Sequence, residues 1–239
     1  MVRTSPSQGG NSGSTPGRVT KKSINITLLN KPNTLYNEPM KKAKITKEDG
    51  IVDFLFEAGM LAKTPRSGFF FLGSGSQSIA EHSNRVTYIG YALAQMAGDV
   101  DLSKVLQMCM FHDFAEARTS DLNYVHQKYV HSDEHKAMTD LVGTLHFGDK
   151  IFNIIKEYEE RKTKESLLAK DSDILELILS LKEQYDIGNE RANTWIPSAI
   201  KRLKTKEGKI LGEKIIKTDS DRWWFNDKDD KWWVNRNKK

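Results

Sequence analysis

The chain has 239 residues and a formal net charge of +5; 38% of its residues are hydrophobic and 29% are charged. This length allows one domain with extensions, or two small domains. No apolar run reaches the roughly 20 residues that span a bilayer, no signal-peptide core is present, and a single cysteine, Cys109, excludes an internal disulfide. These features predict a cytoplasmic protein that does not contact a membrane.

The basic charge would suit a partner that carries phosphate, although charge of this kind is usually spread over a solvated surface. The sequence contains neither zinc-finger spacing nor an RNA-binding aromatic signature. We therefore expect a small-molecule partner and no nucleic acid.

The two ends of the chain differ in composition from its middle. Residues 1–44 are rich in Ser, Gly and Pro and poor in apolar residues, which predicts a disordered leader. Residues 45–218 form the predicted domain. Residues 219–239 are a basic tail that carries four of the five Trp residues. These rings could pack on the domain, take part in a homodimer contact or stack on a ligand.

Apolar residues in the middle of the chain recur at helical spacing. Ser78 and Thr163 are typical helix N-caps, whereas Pro65 and the glycines after it predict a loop over residues 65–78. Helices are predicted within residues 47–63, 78–98, 101–113, 133–147, 149–162, 163–188, 193–203 and 206–217. The sequence shows neither the alternation typical of strands nor an internal repeat. The predicted fold class is all-α, a helical bundle.

Two of these helices carry specific packing predictions. The first is expected to bury Ile51, Phe54, Leu55 and Ala58 on one face. The helix over residues 101–113 is apolar around most of its circumference near its end, which predicts a central position.

Histidines and carboxylates stand among apolar neighbours in three of the predicted helices. His82 lies in the second helix, His112 and Asp113 end the third, and Asp173 lies within the longest. A polar group in such a place needs a partner, and these four side chains can satisfy one another by holding one divalent cation. Mixed nitrogen and oxygen donors favour Mn, Co, Ni, Fe or Zn over Ca.

Each histidine also has a simpler interpretation, a core side chain with one hydrogen bond. The adjacent pair His112 and Asp113, with Glu116 three residues after it, strengthens the case for a metal. On spacing alone, both interpretations stay open.

The motifs PRSG, AEHSNRV, MFHDFAEARTSDL and AKDSDILELIL occur in this order. As an ordered set they resemble those of the HD-domain metal-dependent phosphohydrolases, in particular the branch of the bacterial 5′-deoxynucleotidases and their HD-domain-containing relatives. The resemblance runs from about Asp49 to Gly188, over half of the chain. It implies an HD-type helical bundle for the domain over residues 45–218.

The resemblance implies that His82, His112, Asp113 and Asp173 are the four ligands of one divalent transition metal ion. Asp171 is the nearby alternative to Asp173. We prefer Asp173 because the family's acidic ligand directly precedes an apolar stretch, here ILELIL.

The resemblance also implies roles around the metal. Glu116 resembles the residue that serves as acid or base, Arg66 resembles the arginine that binds the substrate phosphate, and Asp121 resembles a carboxylate that positions the substrate. Ser67 departs from the pattern, because some members of the family have a tryptophan directly after this arginine. Discrimination between deoxyribose and ribose is therefore not implied.

The predicted activity is that of a metal-dependent phosphohydrolase. By metal-activated water it would hydrolyse nucleoside 5′-monophosphates to nucleoside and phosphate. Two other functions stay open. One is a non-enzymatic nucleotide-sensing protein; the other is a dinuclear-iron HD-type oxygenase, which needs additional ligands such as His131 or His135.

Overall fold

A computed structural model describes residues 46–227 together with residues 230 and 232. This part of the chain contains no strand, and a single antiparallel bridge joins Pro65 to Ser78. The predicted all-α class is confirmed. The predicted leader, residues 1–44, and the tail beyond residue 227, apart from residues 230 and 232, lie outside the described residues.

Eleven α-helices follow one another within the described residues. Their bounds are Lys47–Ala58 (α1), Phe69–Leu72 (α2), Ile79–Ala97 (α3), Leu102–Phe111 (α4), Glu116–Thr119 (α5), Glu134–Val142 (α6), Gly148–Glu160 (α7), Lys164–Asp186 (α8), Glu190–Ile200 (α9), Lys206–Ile216 (α10) and Arg222–Phe225 (α11). None of them combines the length and the apolar character that crossing a bilayer would take.

Local sequence signals determine where the two longest helices begin. Ser78 accepts a hydrogen bond from the backbone N–H of Glu81, whose carboxylate accepts one from the backbone N–H of Ser78, so α3 begins with a capping box. Thr163 caps α8 with its side chain, and Gly188 follows α8 with a φ of +101°, a conformation that favours glycine. Both predicted N-caps are confirmed.

The main hydrophobic core surrounds α8. This helix contacts α3, α4, α7, α9 and α10, and its fully buried residues Leu175 and Ile178 pack with Val86 of α3 and Val105 and Met108 of α4. Burying each of these larger side chains stabilises the fold by roughly 1.5–3 kcal/mol. α4 packs on this core through Val105 and Met108, but Met110 near its end is 51% exposed, so α4 is buried on one face and not around its circumference as predicted.

A second core lies beneath α1, and here one packing prediction is wrong. Ile51, Phe54 and Ala58 pack towards it, with the Phe54 ring stacked on Phe114 at a centroid distance of 5.2 Å. Leu55, however, is 61% exposed. Each helical residue is rotated about 100° from the preceding one, so Leu55 turns away from the narrow face that α1 buries through Phe54.

The segment over residues 65–78 is also not wholly a loop as predicted. It contains the single-turn helix α2, which is held by a third core in which Leu72 packs with Leu181 and Ile196. This packing partner is distant in sequence, and the local Gly and Pro pattern could not indicate it.

Candidate metal centre

Three helices of the main core bring the predicted metal ligands together. His82 lies in the first turn of α3, His112 is the C-cap residue of α4 with Asp113 directly after it, and Asp173 lies in the first half of α8. Because Ser78 fixes the start of α3 and Thr163 the start of α8, these positions follow from the caps and from the packing of the core.

The four side chains converge on a small region. The Nε2 atoms of His82 and His112 are 3.2 Å apart. Asp113 Oδ2 lies 3.4 Å from Nε2 of His82 and 3.2 Å from Nε2 of His112. Asp173 Oδ1 lies 3.3 Å from Nε2 of His82. His82, His112 and Asp113 are thus close enough to share one ion, and Asp173, 91 positions after His82 along the chain, joins this group through its contact with His82.

Asp171, the alternative ligand, does something else. Its buried carboxylate accepts hydrogen bonds from the backbone N–H of Lys204 at 2.9 Å and of Thr205 at 2.7 Å, and from the Thr205 hydroxyl at 2.6 Å. Asp171 therefore holds the start of α10 against α8.

The outer nitrogens of both imidazoles are engaged. His112 Nδ1 lies 3.0 Å from the backbone carbonyl oxygen of Cys109, which can only accept, so Nδ1 carries the proton. His82 Nδ1 donates to Glu176 Oε2 at 2.7 Å. With Nδ1 protonated on both rings, the two Nε2 atoms face each other and the Asp113 carboxylate, where a divalent cation could take the place of a proton. The residues present therefore fit a divalent cation.

The charges of the cluster are consistent with a cation site. Burial opposes a charge on His82, but hydrogen bonds with Asp173 and Glu176 raise its pKa to about 9. Burial likewise disfavours ionised Asp113 and Asp173, yet the neighbouring His112, His82 and Arg66 hold the pKa of Asp113 well below its usual value, and Lys170 and His82 do the same for Asp173. In the metal-free protein a proton on His82 balances these carboxylates; a divalent cation would compete with that proton.

Arg66 and Asp121, the two predicted substrate-binding residues, line the same cleft as Asp113 and Asp173. The backbone N–H of Arg66 donates to the carbonyl oxygen of Gln77 at 2.8 Å, and its Nη1 lies 3.1 Å from Asp113 Oδ2. Asp121 Oδ2 accepts a hydrogen bond from the backbone N–H of Ser67 at 2.7 Å. Asp121 therefore secures the segment that carries Arg66, beside its predicted role towards the substrate.

A cleft of about 430 Å³ opens beside the cluster. Arg66, Asp113, Asp121 and Asp173 line it together with apolar and cationic residues. The other contributors include Phe69, Phe71, Leu177, Leu181, Trp195, Lys170 and Arg202. Its volume suits a ligand of nucleotide size. The sequence offered no signal for Trp195 or Arg202, because their place in the cleft depends on how α9 packs on α8.

Glu116 lines a neighbouring cavity of about 190 Å³, which shares Leu122 and Gln127 with the cleft. Its Oε2 atom is buried and has no hydrogen-bond partner in the described part of the chain. Burial, followed by the charges of Asp113 and Asp121, raises the pKa of Glu116 to about 9. This carboxyl group is therefore protonated near neutral pH and can donate a proton.

The other histidines give no second cluster. Among the residues that the structure describes, only His82, His112 and Asp113 form a group of three or more potential ligands close enough to share an ion. His131 is exposed, and His135 packs edge-on against Phe152 at a centroid distance of 5.4 Å.

Several known proteins are similar to this chain in sequence. The profile of the HD domain matches residues 58–214. The chain is 26% identical over 145 residues to 5′-deoxynucleotidase HDDC2 of Danio rerio, covering 58% of this chain and 72% of the relative. For 5′-deoxynucleotidase HDDC2 of Dictyostelium discoideum the identity is 29% over 145 residues, covering 55% and 76%.

Solved structures have the same fold. A conserved hypothetical protein from Pyrococcus furiosus superposes with a TM-score of 0.59 at 26% identity, covering 70% of this chain and 99% of that one.

Proposed function

Because the chain belongs to the HD-domain family, as an HD-domain phosphohydrolase related to the 5′-deoxynucleotidases, we propose that it hydrolyses nucleoside 5′-monophosphates to nucleoside and phosphate. The observation that carries this proposal is the convergence of His82, His112 and Asp113 beside a cleft of nucleotide size, which Asp113 lines. The names of the relatives support a nucleotide as substrate.

The proposed metal ligands are His82, His112, Asp113 and Asp173, for one divalent transition metal ion. Such an ion supplies Lewis-acid polarisation of the phosphoryl oxygen and lowers the pKa of a water molecule towards about 7. The two imidazoles and two carboxylates would leave positions open for water and substrate on an octahedral ion.

Arg66 is the proposed phosphate-binding residue. Only Nη1 of its guanidinium is hydrogen-bonded to a described side chain, that of Asp113, so Nε and Nη2 remain for two phosphoryl oxygens. Arginine binds such oxygens in a bidentate manner, and a guanidinium held in this position would stabilise the negative charge that develops on the phosphoryl group during transfer. The ion pair with Asp113 would hold the phosphate next to the metal ligands.

Glu116 is the proposed acid. In the metal-free protein its raised pKa keeps it protonated at neutral pH, and burial, the largest cause of that shift, acts in the metal-bound protein as well. When water attacks phosphorus and the bond from phosphorus to the 5′ oxygen breaks, Glu116 would donate its proton to the leaving 5′ oxygen. The attacking water would supply the new oxygen of phosphate, and one of its protons would return to Glu116.

The apolar part of the cleft lining is the proposed nucleoside site. Among the residues that line the cleft, Phe69, Leu177 and Trp195 offer apolar surface, which suits the faces of a nucleobase. Ser67 bonds to Asp121 and puts no large ring beside Arg66, so we expect both ribose and deoxyribose substrates to bind.

A phosphate-release assay tests the proposal. Metal-free protein would receive Mn²⁺, Co²⁺, Ni²⁺, Mg²⁺ or Zn²⁺ and be offered nucleoside mono-, di- and triphosphates and sugar phosphates. We expect turnover to be fastest with monophosphates and to disappear in Asp173→Asn. A matched control is Asp186→Asn, which changes a carboxylate of the same helix that pairs with Lys182 outside the cleft.

Two outcomes of this assay would contradict the proposal. Nucleotide binding without turnover under every metal would identify a sensor. Phosphate release that survives Asp173→Asn would remove this residue from the site.

A further inference from the structure

A buried carboxylate next to the metal centre has no part in the reaction proposed above. Glu176, on α8, is 1% exposed. Its Oε2 accepts the hydrogen bond from His82 Nδ1 at 2.7 Å. Its Oε1 accepts from Gln77 Nε2 at 2.7 Å, from Ser180 Oγ at 3.0 Å and from Arg85. The donors to Oε1 leave Oε2 to His82 alone among the described residues.

Arg85 lies three residues after His82 on α3 and clamps the same carboxylate. Its Nε and Nη2 donate to Glu176 Oε1 at 3.0 and 2.7 Å. Nη2 also donates to Ser180 Oγ at 2.6 Å, and Nη1 to Glu183 Oε1 at 2.6 Å. Because every guanidinium nitrogen of Arg85 is hydrogen-bonded, this side chain is held in one orientation, and it holds the Glu176 carboxylate in turn.

Two consequences follow for His82. An ionised carboxylate at 2.7 Å can only accept, so Nδ1 of His82 must carry the proton and Nε2 must face the other ligands. The ring plane is fixed as well, because the carboxylate that receives Nδ1–H cannot rotate. A ligand held in this way loses little freedom when a metal binds.

The same network reaches the phosphate-binding arginine. Gln77 donates its side-chain amide to Glu176, and its backbone carbonyl accepts the N–H of Arg66 at 2.8 Å. One set of hydrogen bonds thus connects a proposed metal ligand with the proposed phosphate contact.

We propose that Arg85 and Glu176 are positioning residues of the metal centre: Arg85 clamps Glu176, and Glu176 sets the tautomer and orientation of His82. This inference rests on the proposed role of His82 as a metal ligand. Arg85 is 30% exposed and also lines a second cavity of about 410 Å³ with Glu183 and Trp223, so the network extends from the metal ligand to a solvent-accessible groove.

The test measures binding of the metal alone. Co²⁺ would be titrated into metal-free protein by calorimetry, and the absorption spectrum of bound Co²⁺ would report the ligand geometry. We expect Glu176→Gln to weaken Co²⁺ binding about 10- to 100-fold and to change the spectrum. Arg85→Met should weaken binding by a similar or smaller factor, and Arg85→Lys, which restores one donor, should lie between Arg85→Met and the wild type.

The matched control is Glu157→Gln, which removes an inter-helix ion pair with Lys104 at 3.0 Å that touches no ligand. Its Co²⁺ affinity and spectrum should equal those of the wild type. Each variant's melting temperature in EDTA would be recorded alongside. If a Glu176 variant does not fold, Arg85→Lys carries the test, because it keeps the positive charge.

Variants with lower melting temperatures but wild-type Co²⁺ affinity and spectrum would overturn the inference and make the pair merely structural. Failure of the proposed function looks different. A wild type that binds Co²⁺ through His82 but hydrolyses no nucleotide would refute the substrate and leave the positioning role standing. Co²⁺ binding that is the same in His82→Ala as in the wild type would overturn both the proposed metal site and the positioning role.

Discussion

Substituting Glu116 by Gln should stabilise the metal-free protein and abolish most of its activity. The unfolded chain loses the Glu116 proton above about pH 4.5, whereas the folded protein keeps it up to about pH 9. Between these values folding takes up a proton, so the stability of the wild type falls as the pH rises. Gln has no proton to lose and escapes this cost.

The size of the gain follows from the pKa. At pH 7 the solution lies about 2.5 pH units above the ordinary pKa of this carboxyl, and each unit corresponds to about 1.4 kcal/mol. We therefore expect Glu116→Gln to be more stable than the wild type by on the order of 3 kcal/mol at pH 7, with the difference vanishing near pH 4. A bound cation lowers the pKa of Glu116 and reduces the gain, so the comparison is made in EDTA.

Urea unfolding followed by circular dichroism measures this difference, at pH 5 and pH 8. The difference in free energy of unfolding between Glu116→Gln and the wild type should grow by roughly 1.4 kcal/mol per pH unit, as expected for the uptake of one proton on folding. With metal restored, kcat should fall about 10²- to 10⁴-fold while metal affinity stays unchanged. The reasoning fails if the Gln variant is no more stable at pH 7, or if the gap is the same at both pH values.

Four other substitutions separate phosphate binding, metal binding and packing. Arg66→Lys keeps the charge but loses the bidentate fork, so kcat/KM measured by phosphate release should fall about 10- to 100-fold with an unchanged melting temperature. Asp171→Ala leaves the N–H groups at the start of α10 unpaired and should cost about 1–3 kcal/mol in urea unfolding, while metal titration should still give one equivalent. Asp173→Ala should instead weaken metal binding and leave the free energy of unfolding almost unchanged. Leu175→Ala, in the centre of the main core, should cost about 2–5 kcal/mol in the same unfolding experiment.

The parts of the fold that depend on local chemistry could be predicted from the sequence. A capping Ser or Thr and a stopping Gly act within a few residues, so the starts of α3 and α8 were accessible. Leu55 and α2 were not, because the face that α1 buries and the packing of Leu72 on Leu181 depend on partners distant along the chain.

The candidate site likewise contains residues that the sequence indicates and residues that it does not. His82, His112, Asp113 and Asp173 stood out as polar residues in apolar surroundings, and they lie together. Glu176 carries a weaker signal in the sequence: it follows Asp173 by three residues within the apolar stretch ILELIL, so both carboxylates share a face of α8.

Two further features of the site needed the folded structure. The part that Arg85 plays depends on how α3 packs against α8. The raised pKa of Glu116 comes from burial and from neighbours that only folding brings close.

Anomalous diffraction from crystals soaked in Zn²⁺, recorded on both sides of the zinc absorption edge, tests the central claim most directly. The account predicts one strong peak, roughly 2.0–2.2 Å from Nε2 of His82 and of His112 and from one carboxylate oxygen each of Asp113 and Asp173. A peak elsewhere, or none between these four side chains at saturating metal, would contradict it.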